Sequence, residues 1–228
     1  MKTVVVLTGA GISAESGIST FRDSNGLWEN HDVMDVASPK GWKKNPELVL
    51  RFYNERRKQA RSVNPNAGHY ALVELEEKYD VQIITQNVDD LHERAGSTNI
   101  LHLHGELNKV RSVKNEHLIS IVEGDINLGD VGLDGEQLRP HIVWFGEAVP
   151  KISEAVQIAR QADFLLIIGT SLVVYPAASL IDFVPEGTPI YVIDPNKPEV
   201  SRRKNLHFVQ KRGTEGVPEV VKELLGLT

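Results

Sequence analysis

Four short apolar runs that do not alternate constrain this chain most. Val4-Val5-Val6-Leu7, Val81-Gln82-Ile83-Ile84, Phe164-Leu165-Leu166-Ile167-Ile168 and Ile190-Tyr191-Val192-Ile193 are rich in β-branched residues. A strand with one face in water alternates apolar and polar side chains. An unbroken apolar run suits a strand covered on both faces, as in a parallel sheet. Helical spacing fills 46–60, 67–78, 153–161 and 217–225. Strand–helix alternation predicts an α/β fold, a Rossmann-like doubly wound parallel sheet. The 228 residues suit one domain over 1–228, which at this size buries roughly 70% of its unfolded surface. Residues 17–45 read as a long excursion, and 27–65 as a helical insertion. Around 114–140 the pattern breaks, with Gly124, Gly129, Gly132, Gly135 and many acids. Residues 106–140 therefore read as a small lobe inserted into the sheet domain.

In a doubly wound sheet, ligands sit beyond the carboxyl ends of the strands. The residues that follow the runs are Thr8-Gly9-Ala10-Gly11, Thr85-Gln86-Asn87, Gly169-Thr170-Ser171 and Asp194-Pro195-Asn196. All are small or hydrogen-bonding. Gly9-Ala10-Gly11-Ile12-Ser13-Ala14 is a G-x-G-x-x-A pattern straight after a strand. It permits a tight turn and close approach of backbone to a pyrophosphate. The acid that ends the next strand in hydride-transfer enzymes is missing; Asp32 and Asp35 follow no strand. The loop is thus a nucleotide loop with an atypical continuation.

Composition removes several classes. The chain has no cysteine, so it has no disulfide, thiolate metal site or cysteine nucleophile. Asp+Glu number 31 against 25 Lys+Arg, which argues against general affinity for nucleic acid. The charge is uneven: 40–61 holds eight basic side chains and two acidic, while 114–136 holds six acidic and one basic. No apolar stretch approaches the roughly 18 residues of a membrane span. No targeting segment is evident, and a cytoplasmic protein is expected.

Five motifs then occur in order. They are Gly9-Ala10-Gly11-Ile12-Ser13 with Ser16-Gly17-Ile18 and Phe21-Arg22; Thr85-Gln86-Asn87-Val88-Asp89 with Leu91-His92; Leu103-His104-Gly105; Arg139-Pro140-His141-Ile142-Val143-Trp144-Phe145-Gly146-Glu147; and Gly169-Thr170-Ser171 with Val174-Tyr175-Pro176-Ala177. Together they resemble the sirtuins, the NAD-dependent protein deacylases. Phe52-Tyr53-Asn54-Glu55-Arg56-Arg57 carries a Tyr-x-x-Arg pair similar to that of the bacterial class acting on acidic acyl groups. Tyr53 and Arg56 share a helix face at i, i+3, where a guanidinium can pair with a carboxylate and a hydroxyl can assist.

The resemblance implies removal of acetyl, succinyl or malonyl groups from protein lysines, with release of nicotinamide and O-acyl-ADP-ribose. It implies NAD as cofactor and acyl-lysine proteins or peptides as partners. His104 is implied as general base, with Asn87 also catalytic, because imidazole titrates near neutrality. His102, two residues away, leaves an H-x-H metal pair as the competing reading, but two ligands are too few for zinc. The implied cofactor residues are Gly9, Ala10, Gly11, Ile12, Ser13, Phe21, Arg22, Trp28, Gln86, Asn87, Asp89, Gly169, Thr170, Ser171, Asp194, Pro195, Asn196 and Glu215. The implied substrate residues are Tyr53, Arg56, Ile142, Val143, Trp144, Phe145, Gly146 and Glu147. Family members usually hold a structural zinc with four cysteines; none is present here, so no metal is expected. A glycohydrolase or ADP-ribosyltransferase on the same fold is the alternative enzyme, and a non-catalytic NAD sensor the alternative binder.

Overall fold

The computed structural model describes residues 1–19, 31–172, 174–197 and 205–226, and the backbone of residues 27 and 28. The elements in chain order are β1 (Thr3–Thr8), α1 (Gly11–Ala14), β2 (Leu27–Trp28), β3 (His31–Asp32), α2 (Val33–Val36), α3 (Pro39–Lys44), α4 (Pro46–Ser62), α5 (Ala67–Leu75), β4 (Asp80–Thr85) and α6 (Leu91–Ala95). There follow β5 (Ile100–His102), β6 (Gly105–Ser112), β7 (Ile119–Ile121), β8 (Leu138–Ile142), α7 (Ile152–Ala159), β9 (Phe164–Ile168), a 3-10 helix (Ala177–Asp182), β10 (Ile190–Ile193), β11 (Leu206–Val209) and α8 (Gly213–Leu225).

The four apolar runs are β1, β4, β9 and β10, neighbours in one six-stranded parallel sheet of order β11-β10-β9-β1-β4-β5. This is the doubly wound order: the chain builds outward from β1 to β5, then returns to β9 and builds the other way. The topological switch point lies between β1 and β9. The lack of alternation has the expected cause. Val4 and Val6 pack with Leu72, Leu75, Val217 and Val220 of α5 and α8 on one face. Val5 and Leu7 pack with Ala155, Ala159 and Leu180 of α7 and the 3-10 helix on the other. The outer strands β5 and β11 escape the sequence pattern because they are short and less completely buried. Helix α8 starts a turn before 217, and α5 ends at Leu75, followed by a turn over 76–78.

The excursion after α1 is not all loop. Ser38 caps α3 by accepting from the Gly41 N–H, with Pro39 at the first helical position, and Asn45 caps α4 by accepting from the Leu48 N–H. Helix α4 buries two stripes. Val49, Phe52, Tyr53 and Ala60 join Val36, Leu107, Ile142 and Trp144 in one cluster, while Leu50 packs with Val110 and Ile126 in another.

The lobe contains a three-stranded antiparallel sheet of order β7-β6-β8, which the sequence pattern does not reveal. Register shifts between Gly105 and Val110, so Leu107 and Val110 both turn inward although three residues apart. The acidic lobe lies against the basic helix of the same chain. Asn54 pairs with both backbone groups of Ile126, donating to its carbonyl at 2.9 Å and accepting from its N–H at 3.0 Å. Arg57 donates to the carbonyls of Leu107 at 2.7 Å and Gly124 at 3.3 Å, and to the Asn54 side-chain oxygen at 2.9 Å. Lys58 pairs with Asp125, and Arg61 reaches the carbonyls of Val122 and Glu123. Among the described residues no helix is long and apolar enough to cross a membrane.

Candidate active site

The loops after β1 and β9 interlock at the switch point. Gly9 donates its N–H to the Ile168 carbonyl and Gly11 to the Gly169 carbonyl. A Cβ on Gly11 would lie 2.5 Å from the Gly169 Cα, and one on Gly169, where φ is +60°, would lie 2.5 Å from the Ile12 nitrogen. No side chain fits at either position, so two bare backbone segments share this edge of the sheet. Thr170 accepts from the Gln86 side chain at 3.0 Å, tying the loop after β9 to the loop after β4. Ser171 precedes Leu172, whose φ of +56° bends the chain sharply.

The loop after β4 brings Asn87 and Asp89 to Ser13. Asn87 Nδ2 donates to Ser13 Oγ at 3.2 Å, and Ser13 Oγ donates to Asp89 Oδ2 at 3.2 Å. All three side chains are buried. Burial pushes the Asp89 carboxyl above the ordinary range, against the pull of the Leu91 N–H and the Ser13 hydroxyl. Asp89 does also shape the turn into α6, since its Oδ1 accepts from the Leu91 N–H. Behind this cluster, Thr8 donates to Thr85 Oγ1 at 2.8 Å, and Thr85 Oγ1 accepts from the Asn87 N–H at 3.0 Å. Asn66, the cap of α5, donates to the Ile12 carbonyl and to Ser16 Oγ and so fixes α1.

His104 follows β5. Its Nδ1 lies 3.1 Å from the Gln86 carbonyl, an acceptor only, so Nδ1 carries the proton and Nε2 the lone pair. Burial holds its pKa below the usual imidazole value, partly countered by that carbonyl. The next residue, Gly105, has φ +84°, and a Cβ there would sit 2.0 Å from the His141 carbonyl. A glycine after the histidine is therefore required by backbone approach to β8.

The 142–147 segment divides by side. Ile142 and Trp144 are buried in the α4 cluster, whereas Val143 is half-buried and Phe145 exposed. The Val143 N–H donates to the His104 carbonyl at 2.9 Å. Trp144 Nε1 donates to the Tyr53 hydroxyl at 3.1 Å, and the Arg139 guanidinium lies 3.3 Å over the Trp144 ring. Glu147 accepts from Arg139 at 2.7 Å and 3.2 Å, from the Trp144 N–H at 2.8 Å, and from Arg111 at 3.5 Å. Both Trp144 and Glu147, expected at the substrate, bond within the protein, Trp144 to Tyr53 and Glu147 to Arg139 and the Trp144 N–H. Arg139 is the residue that the sequence reading left out of the site, and its signal was its place at the start of the same motif.

Tyr53 is fully buried, and desolvation raises its phenol well above the ordinary value. The charges of Arg139 and Arg56 act on its hydroxyl in the opposite sense. Arg56 is also buried and donates to Gln59 at 2.7 Å. Asp194, Pro195 and Asn196 follow β10, with the Asn196 N–H on Asp194 Oδ1. Glu215 lies exposed in the first turn of α8, whose Thr214 donates to Glu15 just after α1. Phe21, Arg22 and the Trp28 side chain lie outside the described residues. Among the described residues no group of three His, Cys, Asp or Glu side chains could hold a metal ion.

Comparison with known proteins supplies the rest. The Sir2 family profile matches residues 9–176. An NAD-dependent protein deacylase of Helicobacter pylori (strain ATCC 700392 / 26695) is 56% identical over 225 residues, 99% of this chain and 98% of that protein. One from Bacteroides thetaiotaomicron is 54% identical over 231 residues, covering 99% and 98%. Among solved structures, a mutant Sir2 homologue in complex with ADP-ribose superposes with a TM-score of 0.89 at 38% identity, covering 100% of this chain and 94% of that one. A Sir2 homolog–NAD complex gives 0.88 at 38%, covering 99% and 90%. With the family profile matching residues 9–176 and relatives 54% and 56% identical over 99% of its length, the chain belongs to the Sir2 family.

Proposed function

We propose that this chain is an NAD-dependent protein-lysine deacylase. The observation that carries the reading is His104, whose Nδ1 is held by the Gln86 carbonyl so that Nε2 is the basic nitrogen; Gln86 also bonds Thr170, and the next residue, Asn87, bonds Ser13, which bonds Asp89. Full-length relatives named NAD-dependent protein deacylase support it. The residues present fit the nucleotide. Gly9, Gly11 and Gly169 let the loops after β1 and β9 pack backbone against backbone at the switch point, and the phosphates would lie along that edge, with Ala10, Ile12, Ser13, Thr170 and Ser171. Asp194, Pro195, Asn196 and Glu215 border the adenosine side. When bound, NAD supplies the ribose carbon that accepts the acyl oxygen as nicotinamide leaves.

The chain's own groups then have separable tasks. Asn87 and Asp89 line the nicotinamide side, and Ser13 keeps them in register. Gln86 steadies the ribose side from Thr170. With NAD bound, His104 Nε2 would be the group that takes the proton of a ribose hydroxyl, the task of a general base. Val143, Phe145 and Gly146 form the wall along which the acyl-lysine peptide lies, with Ile142 and Trp144 anchoring that wall. An acidic acyl group, succinyl or malonyl, ends against Tyr53 and Arg56, because a buried carboxylate requires a charged or hydrogen-bonding partner.

The test is incubation with NAD and one peptide bearing acetyl-, succinyl- or unmodified lysine. Nicotinamide release that depends on the acyl group, with matching deacylation, is expected. Release that ignores the peptide would show a glycohydrolase instead.

A further inference from the structure

His102 ends β5 and is buried, yet both of its ring nitrogens face oxygen. Nδ1 lies 3.1 Å from the Asn87 carbonyl, and Nε2 lies 2.7 Å from Glu93 Oε1 on α6. A carbonyl can only accept, and so can an ionised carboxylate. A neutral imidazole has one N–H and would leave one of the two unmet; only the imidazolium serves both. We propose that His102 is a positioning residue, a buried imidazolium anchored by Glu93 that grips the main chain of Asn87 and so sets the nicotinamide side of the site. The inference rests on the deacylase reading for its kinetic consequence, though not for its protonation state.

The placement explains why a charge is kept there. Asn87 is fixed twice through its backbone, by Thr85 at its N–H and by His102 at its carbonyl, while its side chain is left for Ser13 and the ligand. The groups that face His102 are Glu93 on α6, Glu106 on β6, which Lys109 pairs at 2.8 Å, Asp89 in the preceding turn, and His92, which burial keeps neutral. Burial alone would favour the neutral ring, but the Glu93 hydrogen bond and charge override it and raise the pKa. Glu93 responds in kind and is lowered, burial notwithstanding. The sign follows: the grip is intact below the raised pKa and is lost as pH rises through it. His104 works in the opposite sense, becoming a base as pH rises through its lowered pKa. Two histidines two residues apart, at the end of β5 and in the bend after it, thus set the two limbs of one pH profile.

The experiment combines 15N-histidine NMR of the intact chain with kcat/KM for NAD against pH. His102 should carry protons on both nitrogens at pH 7, and its deprotonation midpoint should coincide with the alkaline fall in kcat/KM for NAD. Glu93→Gln, which keeps an acceptor but removes the charge, should move both midpoints down together by at least about one pH unit. His102→Leu should lower kcat/KM for NAD about tenfold with the peptide KM within about twofold, and His102→Gln should recover part of that loss. A neutral His102 at pH 7, or an alkaline limb that stays put in Glu93→Gln, overturns the proposal. Should His102→Leu fail to fold, the Glu93→Gln shift still decides. Absence of deacylation in the wild type would defeat the deacylase reading and leave the NMR result standing.

Discussion

His104 donates its single ring proton to one carbonyl, and its partial burial holds its pKa below the ordinary 6.5, which keeps it a base at neutral pH. His104→Ala should lower kcat for deacylation by roughly 10²–10⁴, while NAD still binds at Gly9, Gly11 and Gly169. Steady-state rates with calorimetric titration of NAD check both halves, and an unchanged rate would remove His104 from its role. His69 shows the same desolvation put to a structural use. It is buried, accepts the Asn66 N–H on Nδ1 at 3.3 Å, and is pushed down to about 4. Because its folded pKa lies below the unfolded 6.5, its contribution is complete above pH 6.5 and lost as pH falls toward 4. Stability should therefore decline by up to about 1.4 kcal/mol per pH unit across that window. His69→Asn should flatten the decline, read as urea midpoints from pH 7 to 4. At Arg56, the Met variant should lose at least about a decade in kcat/KM on succinyl-lysine and keep most acetyl-lysine activity. Equal losses on both peptides would leave Arg56 a purely structural residue.

Helix α4 is the element on which two halves of the molecule meet. One stripe carries Tyr53 toward Trp144, and the other carries Leu50, Asn54 and Arg57 toward the lobe. Asn54 stands in for a neighbouring strand by pairing with both backbone groups of buried Ile126. Asn54→Ala should destabilise the chain by about 2 kcal/mol, since it leaves buried N–H and C=O groups unmet. Amide exchange should quicken first at 122–127 and last in β1; a uniform acceleration would mean that the lobe and sheet unfold as one. The i, i+3 relation of Tyr53 and Arg56 was legible in the sequence because helix periodicity is regular. The lobe strands were not, because the shift in β6 breaks the period of two that sequence reading depends on. Nothing local to Asn54 says that its partner lies 72 residues away.

At the scale of the whole molecule, the opposed charge runs at 40–61 and 114–136 meet across one internal interface. The pair Lys58–Asp125 is exposed, so it contributes at most about 1 kcal/mol. The lobe is held instead by Asn54, Arg57 and the apolar contacts of Leu50, Val110 and Ile126. We expect a large excess of chelator to leave both the melting temperature and deacylation unchanged. Stoichiometric zinc whose removal unfolds the lobe would refute this.

The sequence by itself determined the four central strands of the sheet and the glycines of the loops that follow two of them. Unalternating runs need cover on both faces, and glycines at Gly9, Gly11 and Gly169 are demanded by backbone that no Cβ can approach. These are properties of local steric fit and of burial, which each short segment carries in its own composition. Only the tertiary structure decided which ring nitrogen of His104 is basic, why His102 is held between Glu93 and Asn87, and why Trp144 meets Tyr53 while Glu147 meets Arg139. Those outcomes depend on which acceptors and which dry surroundings reach a side chain from remote segments. The pattern along the chain encodes burial but not the identity of the partner met across it.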